Sequence, residues 1–187
     1  MCEARTTPKI STRVKKIEIQ PVWAEIRLDA IAANVRALKK LLPAGCRLMA
    51  VVKAEGYGHG AVRVARTALE NGAERLAVAR LAEGLALRQA GVRAPILLFG
   101  YTPPENLEQV LDHDLTPTLY SLETARAHSA KAASVGRRLA VHLKRDTGMG
   151  RLGVLPNCLR TGNPSPASEA KLVKDINGKD RIVKARL

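Results

Sequence analysis

Aromatic side chains are scarce in this sequence. Phe, Trp and Tyr together make up 3% of the 187 residues, so aliphatic side chains have to fill the core. The three cysteines, Cys2, Cys46 and Cys158, are odd in number and far apart, and the chain has no Cys-x-x-Cys pair. Neither a disulfide framework nor a metal site is therefore indicated, and a reducing cytoplasm fits. No apolar run approaches the roughly 20 residues of a membrane span, and the N-terminus lacks the apolar stretch of a secretory signal.

Acidic side chains are also in deficit. Lys and Arg number 31 against 17 Asp and Glu, which gives a net charge of +14. More than half of this excess lies in the two ends, residues 1–17 and 158–187, rather than in the middle of the chain. Nucleic-acid-binding proteins usually carry a clustered basic patch or a reading motif, and the sequence has neither. Such a function would predict salt-sensitive retention on DNA without cofactor dependence, and we expect no nucleic-acid partner.

Helix and strand patterns alternate along the chain from about residue 28. Continuous apolar runs such as CRLMAVVKA and APILLFG are typical of strands buried on both faces of a parallel sheet. The intervening segments have helical periodicity; the first spans residues 28–43, with Asp29 as its candidate N-cap. This alternation predicts βαβ units and an α/β fold. An open doubly wound sheet and a closed barrel both fit, and in both the chemistry gathers at the carboxyl ends of the strands.

One predicted strand ends in a lysine that is followed by a glycine-rich segment, VVKAEGYGHG at residues 51–60. A lysine at the tip of a buried strand is partly desolvated, which favours its neutral, nucleophilic form. Such an amine can condense with an aldehyde cofactor, of which pyridoxal phosphate is a common example. Tyr57 offers a hydroxyl to the phosphate, and the surrounding glycines permit a close approach of the backbone. The alternative for Lys53 is a solvated lysine before an ordinary turn.

The same ten residues resemble the pyridoxal-lysine signature of alanine racemases, usually VVKANAYGHG, with Glu55 and Gly56 replacing Asn and Ala. The resemblance extends over about residues 20–157. It implies a partial (β/α)8, TIM-like barrel of about five βα units without the family's C-terminal β-domain. The other blocks that resemble the family are WAEIRLDAIAANVRAL at 23–38, RLAVARLAEGLALRQAGVRAPILLFG at 75–100, TPTLYSLETA at 116–125 and HLKRDTGMGRLGV at 142–154.

The resemblance implies roles for four residues. Lys53 would hold pyridoxal 5'-phosphate covalently and would move the α-proton on the D-alanine side. Tyr57 would bind the cofactor's phosphate. Arg151 would contact the cofactor's phenolic oxygen and the substrate carboxylate, a role that suits a guanidinium fork. Lys144 matches a lysine that is carbamylated in many members and that positions this arginine.

The function that the resemblance implies is interconversion of L-alanine and D-alanine for peptidoglycan precursors, by a cytoplasmic enzyme that is a homodimer in the full-length family. The alternative is a non-catalytic pyridoxal-phosphate carrier or regulator built on the same barrel. A visible absorbance band of the bound cofactor that is lost in Lys53→Ala, without any racemisation by the unchanged chain, would favour the carrier.

The resemblance divides the chain into three parts: a basic extension at 1–19, the barrel region at 20–157, and an unmatched tail at 158–187 that we expect to be poorly ordered. The family's second base is a tyrosine from a C-terminal β-domain, contributed across the dimer, and no segment corresponds to it. We therefore expect the chain to be a truncated form with weak or absent turnover. Five βα units also leave open sheet edges, which the tail or a partner would have to cover.

Overall fold

A computed structural model describes residues 24–154 and two further strands at 171–174 and 180–186. Five strands follow one another in chain order, and each neighbouring pair is parallel. This arrangement confirms the predicted α/β fold and is that of a partial (β/α)8 barrel. The strands are β1 Leu48–Val51, β2 Ala73–Val78, β3 Ile96–Leu98, β4 Leu115–Leu119 and β5 Ala140–Lys144.

Helices precede the first strand and connect the others. In the order of the chain they are α1 Leu28–Lys40, the short α2 Lys53–Tyr57, α3 Ala61–Glu70, α4 Leu81–Gln89, a 3-10 turn Pro104–Asn106, α5 Leu107–Asp112 and α6 Leu122–Ser134. The segment α2 is a left-handed turn rather than a right-handed helix. Ser121 caps α6, because its hydroxyl accepts from the Thr124 backbone N–H at 3.1 Å. The prediction for the first helix is wrong at its cap. Arg27 is the N-cap, and Asp29 lies in the first turn, where its carboxylate pairs with Arg27 at 2.6 Å.

The strands separate two environments. Leu76, Val78, Ile96 and Leu98 are fully buried and belong to the core that packs against the helices. Alternate positions point to the other face of the sheet, where residues from β1 through β5 line one cavity of about 280 Å³. Because the two outermost parallel strands both reach this cavity, the sheet curves as a barrel wall does. No helix in the described part of the chain is long and apolar enough to span a membrane.

The first strand is less buried than the sequence predicts, and the first helix is also largely exposed. None of the four residues of β1 is fully buried, and Val51 is 43% exposed. The prediction of burial on both faces is wrong because β1 is the edge strand of the described sheet and its inner face borders the open cavity. The first helix has no fully buried residue, and its Leu38 is 54% exposed.

Two strands lie within the tail that we expected to be poorly ordered. β6 is Lys171–Lys174 and β7 is Asp180–Arg186. All five residues of β5 pair antiparallel with residues 182–186 of β7, and β6 pairs antiparallel with β7. The free edge of β5 offers the backbone groups for this pairing, and the expectation that the tail is poorly ordered stays a prediction. The rest of the tail and the basic extension at 1–19 lie outside the described residues.

Candidate active site

Lys53 stands at the carboxyl end of β1, where the backbone turns abruptly. The preceding residue, Val52, is buried, and its N–H donates to the Ala77 carbonyl of β2 at 2.9 Å. The next residues have left-handed backbone angles, with φ of 50° at Ala54, 55° at Glu55 and 62° at Gly56. Tyr57 follows with φ of 57°. For residues other than glycine this conformation costs roughly 1–2 kcal/mol each, so the surrounding structure has to hold the turn.

Hydrogen bonds within the segment supply part of that support. The Gly56 N–H donates to the Val52 carbonyl at 3.0 Å, and the Gly60 N–H donates to the Glu55 carbonyl at 2.9 Å. The His59 ring Nδ1 lies 3.0 Å from the Gly56 carbonyl and 2.9 Å from that of Tyr57, so it donates to the backbone. His59 therefore braces the turn locally.

Glu83 supplies a contact to the turn that the sequence did not predict. One carboxylate oxygen accepts from the Ala54 N–H at 2.8 Å. The other accepts from Ala79 and Arg80 at 2.8 and 3.0 Å. Burial raises the pKa of the Glu83 carboxyl, but the backbone donors outweigh this effect and the pKa lies below its ordinary value. The sequence gives one sign of this contact. Glu83 follows Arg80, the N-cap of α4, by three residues, which is the spacing of a capping box.

The Lys53 and Tyr57 side chains leave the turn close to each other. The Lys53 amine lies 5.3 Å from the centre of the Tyr57 ring, within the range of a cation–π contact. Tyr57 is 57% exposed, so its hydroxyl is accessible to a ligand. The turn thus presents an amine and a phenol together at the tip of β1, as the sequence predicts.

The loop after β5 carries the other two predicted site residues. Its ends are tied together, because the Val154 N–H donates to the Lys144 carbonyl at 2.8 Å and the Asp146 N–H donates to the Val154 carbonyl at 3.0 Å. Within the loop, an Asp146 carboxylate oxygen accepts from the N–H groups of Gly148 and Gly150 at 2.9 and 3.1 Å. These donors hold the pKa of Asp146 below its ordinary value, and the loop is therefore shaped around an ionised carboxylate.

Lys144 and Arg151 influence each other electrostatically. Burial lowers the pKa of Lys144, and the neighbouring Arg151 guanidinium lowers it further, while Asp146 opposes the shift. Lys144 lines the curved cavity together with Val51, two residues before Lys53. Within the described part of the chain no hydrogen bond joins the Lys53–Tyr57 pair to the Lys144–Arg151 pair. The structure therefore places two pairs of predicted residues at the same edge of the sheet, with the cavity reaching both strands.

The chemistry of these groups suits a flat, anionic carbonyl compound. The amine can condense with a carbonyl, and the phenol and the guanidinium can donate to anionic oxygens. Of the four predicted site residues, Lys144 lines the cavity, and Lys53, Tyr57 and Arg151 do not. The cavity also presents apolar side chains that can pack against an aromatic ring. These are Met49, Val51, Phe99 and Met149.

Fold and site together define a partial β/α-barrel protein with a lysine, Lys53, at the carboxyl end of the first strand. Comparison with known proteins makes the assignment specific. The sequence profile described as "Alanine racemase, N-terminal domain" matches residues 26–162. The chain therefore belongs to the alanine racemase family.

Individual relatives agree with this assignment. An alanine racemase from Desulforamulus reducens is 51% identical over 138 residues, which are 74% of this chain and 37% of that protein. One from Desulfosudis oleivorans is 49% identical over 160 residues, 83% of this chain and 40% of that protein. The structure of alanine racemase from Clostridium difficile 630 superposes with a TM-score of 0.70 at 46% identity, over 76% of this chain and 37% of that one. The chain thus spans about 37–40% of the length of these relatives.

Proposed function

We propose that Lys53 binds pyridoxal 5'-phosphate and that the chain contributes this half of a site for the interconversion of L-alanine and D-alanine. The main support for this proposal is the position of the Lys53 amine at a strand tip, next to a left-handed turn. The turn also brings the centre of the Tyr57 ring to 5.3 Å from that amine. A solvated lysine before an ordinary turn would not need such a conformation. Supply of D-alanine for peptidoglycan precursors in the cytoplasm belongs to the same proposal.

The residues present fit the cofactor. When bound, pyridoxal phosphate supplies an electron-withdrawing ring that stabilises negative charge at the α-carbon of an amino acid. Tyr57 would donate its hydroxyl to the phosphate, and the apolar cavity would exclude water from the ring. Arg151 would hold the substrate carboxylate and the phenolic oxygen of the cofactor. The free Lys53 amine would take or return the α-proton on one face of the substrate, in the manner of a general base and acid.

Racemisation also needs a proton donor and acceptor on the opposite face of the substrate. By family resemblance this is a tyrosine from a second domain, contributed across a homodimer. We therefore expect the 187-residue polypeptide by itself to racemise alanine weakly or not at all, although it binds the cofactor.

The test is to incubate the folded chain with pyridoxal phosphate, reduce the adduct with borohydride and map the label by peptide mass spectrometry, with D-alanine formation measured in parallel. We expect one dominant label, at Lys53, and little D-alanine. A folded chain whose Lys53 stays unlabelled would overturn the proposal. Rapid turnover by this polypeptide alone would contradict the expectation of weak activity. Cofactor binding without racemisation, even after a family C-terminal half is supplied, would favour the carrier alternative.

We further expect Lys144 to react with carbon dioxide. Because burial and Arg151 lower its pKa, a larger fraction of this amine is neutral at neutral pH than for an exposed lysine. The neutral nitrogen adds to the carbon of CO₂ and loses a proton to water, and the resulting carbamate is an anion beside the Arg151 guanidinium. Carbon-13 NMR of the chain in labelled bicarbonate should show a carbamate signal. The signal should vanish in Lys144→Ala and remain in Lys40→Ala, a change of an exposed lysine; its persistence in Lys144→Ala would contradict the assignment.

A further inference from the structure

Glu83 links the ends of two neighbouring strands to the start of α4. Its Oε1 accepts from the Ala54 N–H, directly after Lys53, and its Oε2 accepts from the first two N–H groups after β2. We propose that Glu83 is a positioning residue for Lys53: its carboxylate clamps the left-handed turn and so sets the direction of the amine. The proposal rests on the proposed function only for the role of that amine.

The turn needs an external clamp because its own conformation is unfavourable. Four consecutive residues, 54–57, have φ between 50° and 62°, and only one of them is glycine. The Ala54 N–H has no acceptor inside the segment and donates instead to the Glu83 carboxylate. Without that acceptor the amide would lose its partner, and rotation to a common backbone region would relieve the strain. Because Lys53 directly precedes these residues and Tyr57 is the last of them, the rotation would move both functional groups.

The other end of the clamp is rigid. Glu83 lies in the first turn of α4, and Leu87, one turn later, is buried in the core. Gly84 is packed so closely that an added Cβ would lie 3.1 Å from Leu98 and 3.2 Å from Leu115. The helix start is therefore fixed against the sheet. The hydrogen bond from Ala54 to Glu83 anchors the turn to this fixed helix start, 29 residues away in the sequence.

Ionisation of Glu83 matches this role. The backbone donors keep the carboxyl pKa below its ordinary value although burial acts in the opposite direction. Both oxygens are therefore acceptors at neutral pH. A carboxamide of the same shape has one oxygen and one NH₂ group, so it must face either Ala54 or the Ala79–Arg80 pair with a donor.

The experiment compares Glu83→Gln with Ser121→Ala in the folded chain. Ser121 caps α6 after β4, so its loss is a matched removal of a helix cap at another strand end. The first readout is amide hydrogen exchange at residues 54–58 without cofactor, and the second is the rate at which pyridoxal phosphate and borohydride label Lys53. In Glu83→Gln we expect about tenfold faster exchange and at least about tenfold slower labelling. In Ser121→Ala both should stay within about twofold of the unchanged chain.

A rescue separates positioning from general loss of stability. Glycine adopts φ near 50° without strain, so adding Ala54→Gly to Glu83→Gln should recover part of the labelling rate. If Glu83→Gln does not fold, Glu83→Asp replaces it. This change keeps the charge at the start of α4 but shortens the side chain, so both sets of bonds cannot keep their lengths.

The outcomes are distinguishable. A folded Glu83→Gln chain that labels at the unchanged rate, or a slowing that Ser121→Ala reproduces, would overturn the clamp. If the unchanged chain does not label at Lys53, the proposed function fails. Hydrogen exchange then still judges the clamp: faster exchange at Ala54 in the variant supports it, and equal exchange overturns it.

Discussion

Lys53→Ala is expected to abolish covalent attachment of pyridoxal phosphate to the folded chain. Alanine has no amine to condense with the carbonyl, and we expect the exposed lysines to give only a diffuse background after borohydride reduction. The Lys53 side chain is only partly buried, and its described contact is the one with the Tyr57 ring, which is worth about 0.5–1 kcal/mol at an exposed site. The variant should therefore fold normally while losing the label.

The measurement is the fraction of chains labelled at each lysine, together with the visible absorbance of the bound cofactor. Lys40→Ala is the matched control, because Lys40 is an exposed lysine in the last turn of α1. It should keep the label at Lys53. If Lys53→Ala binds cofactor with unchanged stoichiometry at another single lysine, the site is elsewhere and the mechanism has to be rebuilt around that residue.

The alternation of helices and strands followed from local patterns, because each element carries its own signal, whereas the barrel was implied by the family resemblance. A continuous apolar run marks β3, for example, and helical periodicity marks the segments between the strands. The exposure of β1 could not be read in this way, because a strand has the same apolar run whether or not a neighbour covers it. The pairing of β7 with β5 likewise depends on which edge is free, and that is a property of the whole sheet.

The candidate site was predicted in part for a similar reason. The segment from Lys53 to Tyr57 is contiguous, so its glycines and its place after an apolar run point to a strand-tip site. Glu83 is 29 residues away from its partner Ala54, and only the folded chain shows that they meet. The left-handed angles at Ala54 and Glu55 were also not predictable from residue type, because tertiary contacts override the local preference.

Gly153→Ala is expected to open the loop that carries Arg151. The Gly153 φ is +146°, and a Cβ built there would lie 2.4 Å from the Asp146 nitrogen and 2.8 Å from the Arg145 carbonyl carbon. Both are backbone atoms directly after β5, so no side chain can move aside. The loop has to shift, and the two hydrogen bonds that Val154 makes with Lys144 and Asp146 would be lost.

The expected cost is about 3–5 kcal/mol, from two backbone hydrogen bonds of about 1 kcal/mol each and about 1–3 kcal/mol for the strain of alanine at this φ. Gly150→Ala is the matched control in the same loop, since its φ is +66° and an added Cβ meets no atom within 4 Å; it should cost only about 1–2 kcal/mol. Urea unfolding gives the global change, and hydrogen exchange at Val154 reports the loop itself. A Gly153→Ala loop that protects the Val154 amide as well as the Gly150→Ala loop does would show that this closure does not hold Arg151. Fast exchange confined to residues 146–154, with the strands still protected, would place the whole effect at the arginine end of the site.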